Sequence, residues 1–132
     1  MKAILNSILL VDDLKEDNFY HSIIIQEANL NKDVATVRNG LEALEYLVSE
    51  KHTTPNLIFL DYSMPKMNGK EFIEAYDDLD LKNKSEIKII LLSTSLSPYD
   101  VKSIENLESI TEYRKKPLTT EMLGEILSDY FE

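Results

Sequence analysis

The 132-residue sequence has no cysteine, which excludes disulfides and thiolate metal sites. It has only two histidines, His21 and His52, far apart in the chain. That is a poor basis for a histidine-rich zinc centre. Glycine is scarce, at three residues, so little is available for a glycine-rich phosphate loop. Basic residues are the minority: 14 Lys and Arg against 24 Asp and Glu leave a net charge of −10. Such a chain is repelled by a phosphate backbone, so no nucleic acid is expected as a partner. No apolar run approaches the roughly 20 residues that span a bilayer, so no membrane association is expected. The opening stretch MKAILNSILLVDD has one basic residue, is broken by Asn6 and Ser7, and runs into two acids. It reads as a strand rather than a signal peptide, and the expected location is cytoplasmic.

What is present is an ordinary globular composition, 43% hydrophobic and 29% charged. A single domain over residues 1–132 is expected, and a chain of this size buries roughly two thirds of its unfolded surface. Short apolar runs alternate with helical patterns. SILLV (7–11), DVATV (33–37), LIFL (57–60), IKIILLS (87–93) and the weaker ITEY (110–113) read as strands. Between them, Tyr20, Ile23, Ile24 and Ala28 fall at helical spacing, as do Leu41, Leu44, Leu47 and Val48. A short helix is expected after Gly69 and another after Pro98, through Val101, Ile104 and Leu107. Met122, Leu123, Ile126, Leu127 and Tyr130 pattern a final helix. The charged segment 77–86, DDLDLKNKSE, reads as a solvated loop with a stretched helix end.

This order is (βα)5, an α/β fold. Strands one, three and four lack polar alternation, which suits a parallel sheet covered on both faces. Right-handed crossovers then make it doubly wound. Ligands of such sheets bind outside the carboxyl ends of the strands. Those ends carry Asp12 and Asp13, then Asp61, then Ser93, Thr94 and Ser95, then Arg114 to Pro117.

Three carboxylates drawn together raise one another's pKa. A hard divalent cation such as Mg²⁺ relieves that repulsion and keeps positions open for waters and a phosphate. Lys116 offers a point charge for a phosphate oxygen, and Ser93 or Thr94 a hydroxyl donor. The set suits transfer of a phosphoryl group onto a carboxylate. Each residue also has a plain structural reading: loop acids, a helix cap at Asp61, turn-forming hydroxyls, a solvated Lys115–Lys116 pair, and a half-buried Tyr113. Only their joint order at successive strand ends is specific.

In LLVDD, RNGLEAL, LIFLDYSMPKMNG, IILLSTS and YRKKP the sequence resembles the receiver domain of response regulators, of the stand-alone chemotaxis type. The resemblance runs from about Ser7 to Phe131. It implies a flavodoxin-like, five-stranded parallel sheet of order 2-1-3-4-5. It implies that Asp61 accepts a phosphoryl group from a sensor histidine kinase or a histidine phosphotransfer protein. Asp13, Asp61 and the main-chain carbonyl of Ser63 would bind Mg²⁺, with Asp12 ordering its waters. Lys116 would touch the phosphoryl group, and the Lys116–Pro117 bond would be cis. Ser93, favoured over Thr94 by counting along the strand, and Tyr113 would be the switch pair. A downstream protein target would then read the face of the fourth helix, fifth strand and fifth helix.

With the final helix ending near Glu132, no output domain is expected, nor turnover of an external substrate. The oligomeric state is expected to be a monomer or weak dimer. Two features depart from the family pattern: Arg114 stands at a usually apolar place, and NLESITEY replaces a small turn before the fifth strand, so that strand is expected to be ragged. Three other readings compete. An aspartyl phosphatase would want an acid at Ser63. A flavin or nucleotide binder would want a phosphate loop where DDLKEDN stands. A degenerate receiver would bind partners without phosphorylation.

Overall fold

The computed structural model describes residues 2–94 and 96–132. Ser95, part of the expected hydroxyl run, lies outside the described residues. The strands are β1 (Ser7–Val11), β2 (Asp33–Val37), β3 (Leu57–Leu60), β4 (Lys88–Ser93) and β5 (Ile110–Lys115). Between and after them come α1 (Lys15–Glu27), α2 (Gly40–Val48), α3 (Gly69–Asp77), α4 (Pro98–Ile104) and α5 (Thr120–Tyr130). All strand pairs are parallel, and the order across the sheet is β2-β1-β3-β4-β5.

Strand side chains alternate between the faces, so each continuous apolar run feeds two cores. Leu9, Val11, Ile58, Leu60, Ile89 and Leu91 pack with Ala43 and Leu47 of α2, Phe72, Ile73 and Tyr76 of α3, and Ile104 of α4. Ile8, Leu10, Leu57, Phe59, Ile90 and Leu92 pack with Ile25 of α1 and Leu123 and Ile126 of α5. The two-sided burial explains why polar alternation is missing from β1, β3 and β4.

Local chemistry sets where the helices begin. Asn39 and Thr119 cap α2 and α5 through their side-chain oxygens. Asn68 with Glu71, and Ser97 with Asp100, form reciprocal capping boxes on α3 and α4. Pro98 occupies the first turn of α4, where its missing N–H goes unused.

Four expectations need correction. On α1, the buried residues are Asn18, His21 and Ile25, while Tyr20 is exposed. The helix is rotated from its apolar stripe because Asn18 works as an inward hydrogen-bonding group. Its Nδ2 donates to the carbonyls of Asp12 and Val37. On α2, the inward residues are Gly40, Ala43 and Leu47, and Leu41 and Val48 are exposed.

The segment 77–86 is not merely a solvated loop. Lys84 donates from Nζ to the carbonyls of Tyr76, Asp77 and Leu79 and sits over the Tyr76 ring. It thereby satisfies the open C-terminal end of α3. Residues Lys84–Glu86 form a 3-10 turn.

β5 is longer than ITEY, reaching Lys115, because parallel pairing to β4 continues through Ser93↔Lys115. The expected raggedness takes a definite form. Ile89 pairs with Ile110 and Ile90 with Glu112, so Thr111 is an extra residue. Its Oγ1 accepts the N–H of Ile89 at 3.2 Å, replacing a ladder bond with a side-chain one. Arg114 is accommodated by bonds to Glu112 and to Glu125 of α5, and Tyr130 also donates to Glu112.

Candidate functional site

Parallel pairing delivers the expected residues to one edge of the sheet. The Asp12 N–H donates to Val37 O at 3.2 Å, and the Asp61 N–H to Val11 O at 2.9 Å. The Lys116 N–H donates to Ser93 O at 2.9 Å. Each bond carries the ladder one residue past its strands, so neighbouring strands end level. The side chains that follow then share one rim.

Asp12, Asp13 and Asp61 each offer a carboxylate oxygen, and these oxygens all lie within 4.8 Å of one another. Asp12 and Asp61 are buried, with Asp61 only 6% exposed. Asp13 is the more open member. Ser93, also buried, donates from Oγ to Asp61 Oδ1 at 3.4 Å, at the long end of the range. Thr94 is exposed, so Ser93 is the hydroxyl that faces the acid.

Lys116 directly follows β5, and the Lys116–Pro117 bond after it is cis, as expected. Its ammonium lies 2.6 Å from Asp12 Oδ2, 2.8 Å from Asp17 Oδ2 and 3.5 Å from Asp61 Oδ1.

The charges oppose one another. Burial foremost, and then the Asp12 charge, push the Asp61 carboxyl up to about 6, against the pull of Lys116. Burial works against the Lys116 ammonium, but its bonds to Asp12 and Asp17 and the Asp61 charge outweigh that and raise its pKa. One buried lysine therefore offsets three acids incompletely. Hard oxygen donors at this spacing are what a small divalent cation takes, so the residues present fit Mg²⁺.

The loop from Asp61 to α3 is tightly built. The Gly69 N–H donates to Tyr62 O at 2.8 Å. A Cβ on Gly69 would stand 3.1 Å from Tyr62 Cα and 3.4 Å from Asp61 O, tight enough that a larger residue would push on the loop backbone. Lys66 holds a positive φ of 69° within the same loop. Ser63 is exposed, and its carbonyl accepts none of the loop's backbone bonds. Tyr113 is on β5 and 39% exposed.

Reading the sequence missed two residues. Asn18 fixes the carbonyl of Asp12, and Asp17 bonds Lys116 across 99 positions of sequence. Both sit in a polar stretch, LKEDN, that reads as a solvated helix start. The only available signal was that an acid and an amide stood within one turn of the start of the apolar stripe.

Comparisons with known proteins agree with this geometry. The family model described as "Response regulator receiver domain" matches residues 8–128. Response regulator Rcp1 of Synechocystis is 33% identical over 99 residues, covering 71% of this chain and 65% of that protein. The structure of the Vibrio cholerae chemotaxis protein CheY4 matches with a TM-score of 0.75 and 26% identity, over 96% of this chain and 99% of that one. The phosphorylated cyanobacterial phytochrome response regulator RcpA matches with a TM-score of 0.68 and 33% identity, over 95% and 90%. With its 2-1-3-4-5 parallel sheet and acidic rim, the chain belongs to the response regulator receiver domain family of two-component signalling.

Proposed function

We propose that Asp61 is a phosphoacceptor, taking a phosphoryl group from the phosphohistidine of a sensor histidine kinase or a histidine phosphotransfer protein. The observation that carries this reading is a buried carboxylate, Asp61, ringed by two further acids, a hydroxyl and an ammonium. Family membership supports it, since receiver domains receive phosphoryl groups from such partners and hold Mg²⁺ at an acidic pocket.

An Asp61 carboxylate oxygen attacks phosphorus as the bond from phosphorus to the imidazole nitrogen breaks, with the electron pair leaving on that nitrogen. The product is an acyl phosphate on Asp61. Asp13, Asp61 and the Ser63 carbonyl would hold Mg²⁺, with Asp12 ordering its waters. When bound, the ion neutralises charge on the transferred oxygens. Lys116 needs only a small shift from its 3.5 Å contact with Asp61 to meet a phosphoryl oxygen. Ser93 Oγ, now on Asp61, turns to another oxygen of the same group.

The signal then leaves through α4 and β5. Tyr62, next to Asp61, places its hydroxyl 3.3 Å from Ser103 Oγ of α4. Ser103 uses its own proton on Asp100 O, so Tyr62 is the donor. Movement of Ser93 toward the acyl phosphate would free space for Tyr113 to turn inward. Exposed Tyr99, Val101 and Tyr113 then change their presentation to a downstream protein target. An acid is absent at Ser63, which disfavours an aspartyl phosphatase. Clustered acids after β1 disfavour a bare phosphate or flavin site.

The test is incubation with acetyl phosphate and MgCl₂ followed by intact mass measurement. The parent is expected to gain one phosphoryl unit and Asp61→Asn none. Absence of incorporation in the parent with any phosphodonor would remove the proposal.

A further inference from the structure

The geometry points to a role for Asp17 that the proposed function does not use. We propose that Asp17 is a positioning residue that retains the Lys116 ammonium when a divalent cation is held by Asp13 and Asp61 with its waters on Asp12. This rests on the cation-binding reading of the rim given above.

Lys116 is buried, its side chain 9% exposed, and its ammonium has three protons to place. Two of its three partners, Asp12 and Asp61, are also members of the acid triad. A divalent cation entering that triad competes with the ammonium for the same oxygens and repels it. Among the described residues, Asp17 is the one partner that stands outside the triad. It comes from the first turn of α1, with its side chain 33% exposed, and holds Lys116 at 2.8 Å.

Asp17 therefore gives the ammonium a place to stay as Asp12 and Asp61 turn to the cation. It remains close enough to swing onto a phosphoryl oxygen. Without Asp17 the ammonium falls back on Asp12 and Asp61 and opposes the cation there. The helix dipole gives Asp17 a second, purely local use at the start of α1, so the test has to separate the two.

MgCl₂ binding is measured by calorimetry and by backbone amide shifts, without any phosphodonor, in a double-mutant cycle. The variants are Asp17→Asn, Lys116→Met and the pair, with Asp17→Glu as the conservative replacement. Amide spectra in the absence of metal confirm that each variant folds. Asp17→Asn is expected to bind Mg²⁺ about tenfold more weakly, the coupling seen between charged groups in direct contact. Asp17→Glu is expected to restore most of the affinity. In the Lys116→Met background, Asp17→Asn is expected to change little.

An equal loss with and without Lys116 would overturn the inference, since removal of a nearby negative charge would then be the whole effect. Unchanged affinity in Asp17→Asn would overturn it as well. If the parent binds no Mg²⁺, the proposed function and this inference both fail. If the parent binds and the cycle shows no coupling, only this inference fails.

Discussion

The two rims of the sheet handle buried polar groups in opposite ways. At the amino-terminal rim, the side chains of Asn56, Lys84 and Thr111 bond to backbone. Asn56 Nδ2 donates to Ile4 O, and its Oδ1 accepts the N–H of Asn6. Lys84 donates to three carbonyls, and the Thr111 hydroxyl accepts the Ile89 N–H. The chain ends close here too, through the Ala3↔Phe131 bridge. At the carboxyl rim, Asp12, Asp17 and Asp61 share the Lys116 ammonium, and Asp13 adds a further negative charge beside them. A side chain bonded to fixed backbone has one arrangement. Charges bonded to other charges can exchange partners when an ion or a phosphoryl group arrives. The first rim stabilises the fold, and the second is left with an unbalanced charge that a ligand can relieve.

Three measurements would break or sharpen that contrast. The largest effect is expected at the backbone-satisfied rim. Asn56→Ala leaves the Ile4 carbonyl and the Asn6 N–H without their partner, and is expected to destabilise by about 3 kcal/mol in urea unfolding. A loss near zero would mean that water replaces Asn56 and that the clip to the N-terminal segment is dispensable.

At the other rim, a removal should stabilise. Burial and the Asp12 charge push the folded Asp61 carboxyl up to about 6, against 3.8 for the free group. From about pH 4 the unfolded chain loses this proton first, so native stability falls as pH rises and levels off above about pH 6. Asp61→Asn is therefore expected to gain about 2 kcal/mol over the parent at pH 7.5 without Mg²⁺, shrinking to nothing near pH 4. Saturating MgCl₂ should narrow the difference at pH 7.5 by stabilising only the folded parent. Equal stabilities at pH 7.5, or a gap that persists at pH 4, would show that Asp61 is not under charge strain.

The smallest effect is expected at the β5 bulge. Thr111→Val keeps the branched shape and loses the acceptor for Ile89 N–H, for about 1 kcal/mol. Thermal unfolding with no change in midpoint would mean that the bulge does not depend on that hydroxyl.

The elements that were legible in the sequence are those with one dominant physical signal. β1, β3 and β4 are buried on both faces and so appear as unbroken apolar runs. The acids after β1 and β3 follow such runs directly, which is why Asp12, Asp13 and Asp61 were identifiable. Ser93 required only a count along β4. The orientation of α1 was not legible, because Asn18 and His21 turn inward while Phe19 and Tyr20 turn out. Apolar spacing cannot report a helix face that is buried for its hydrogen bonds. Lys84 was hidden for a similar reason: a lysine in a charged stretch looks solvated until the open end of a helix is placed beside it.

Pattern along the chain was enough for the (βα)5 order, the buried strands and the identity of the acids, lysine and serine at the rim. Those depend on near neighbours, and local chemistry is written residue by residue. Asp17 on Lys116 and the incomplete balance of charge at Asp61 depend on distances between crossovers. Such distances exist only once the sheet has brought remote loops together, since a charge interaction falls with separation in space and is blind to separation in sequence.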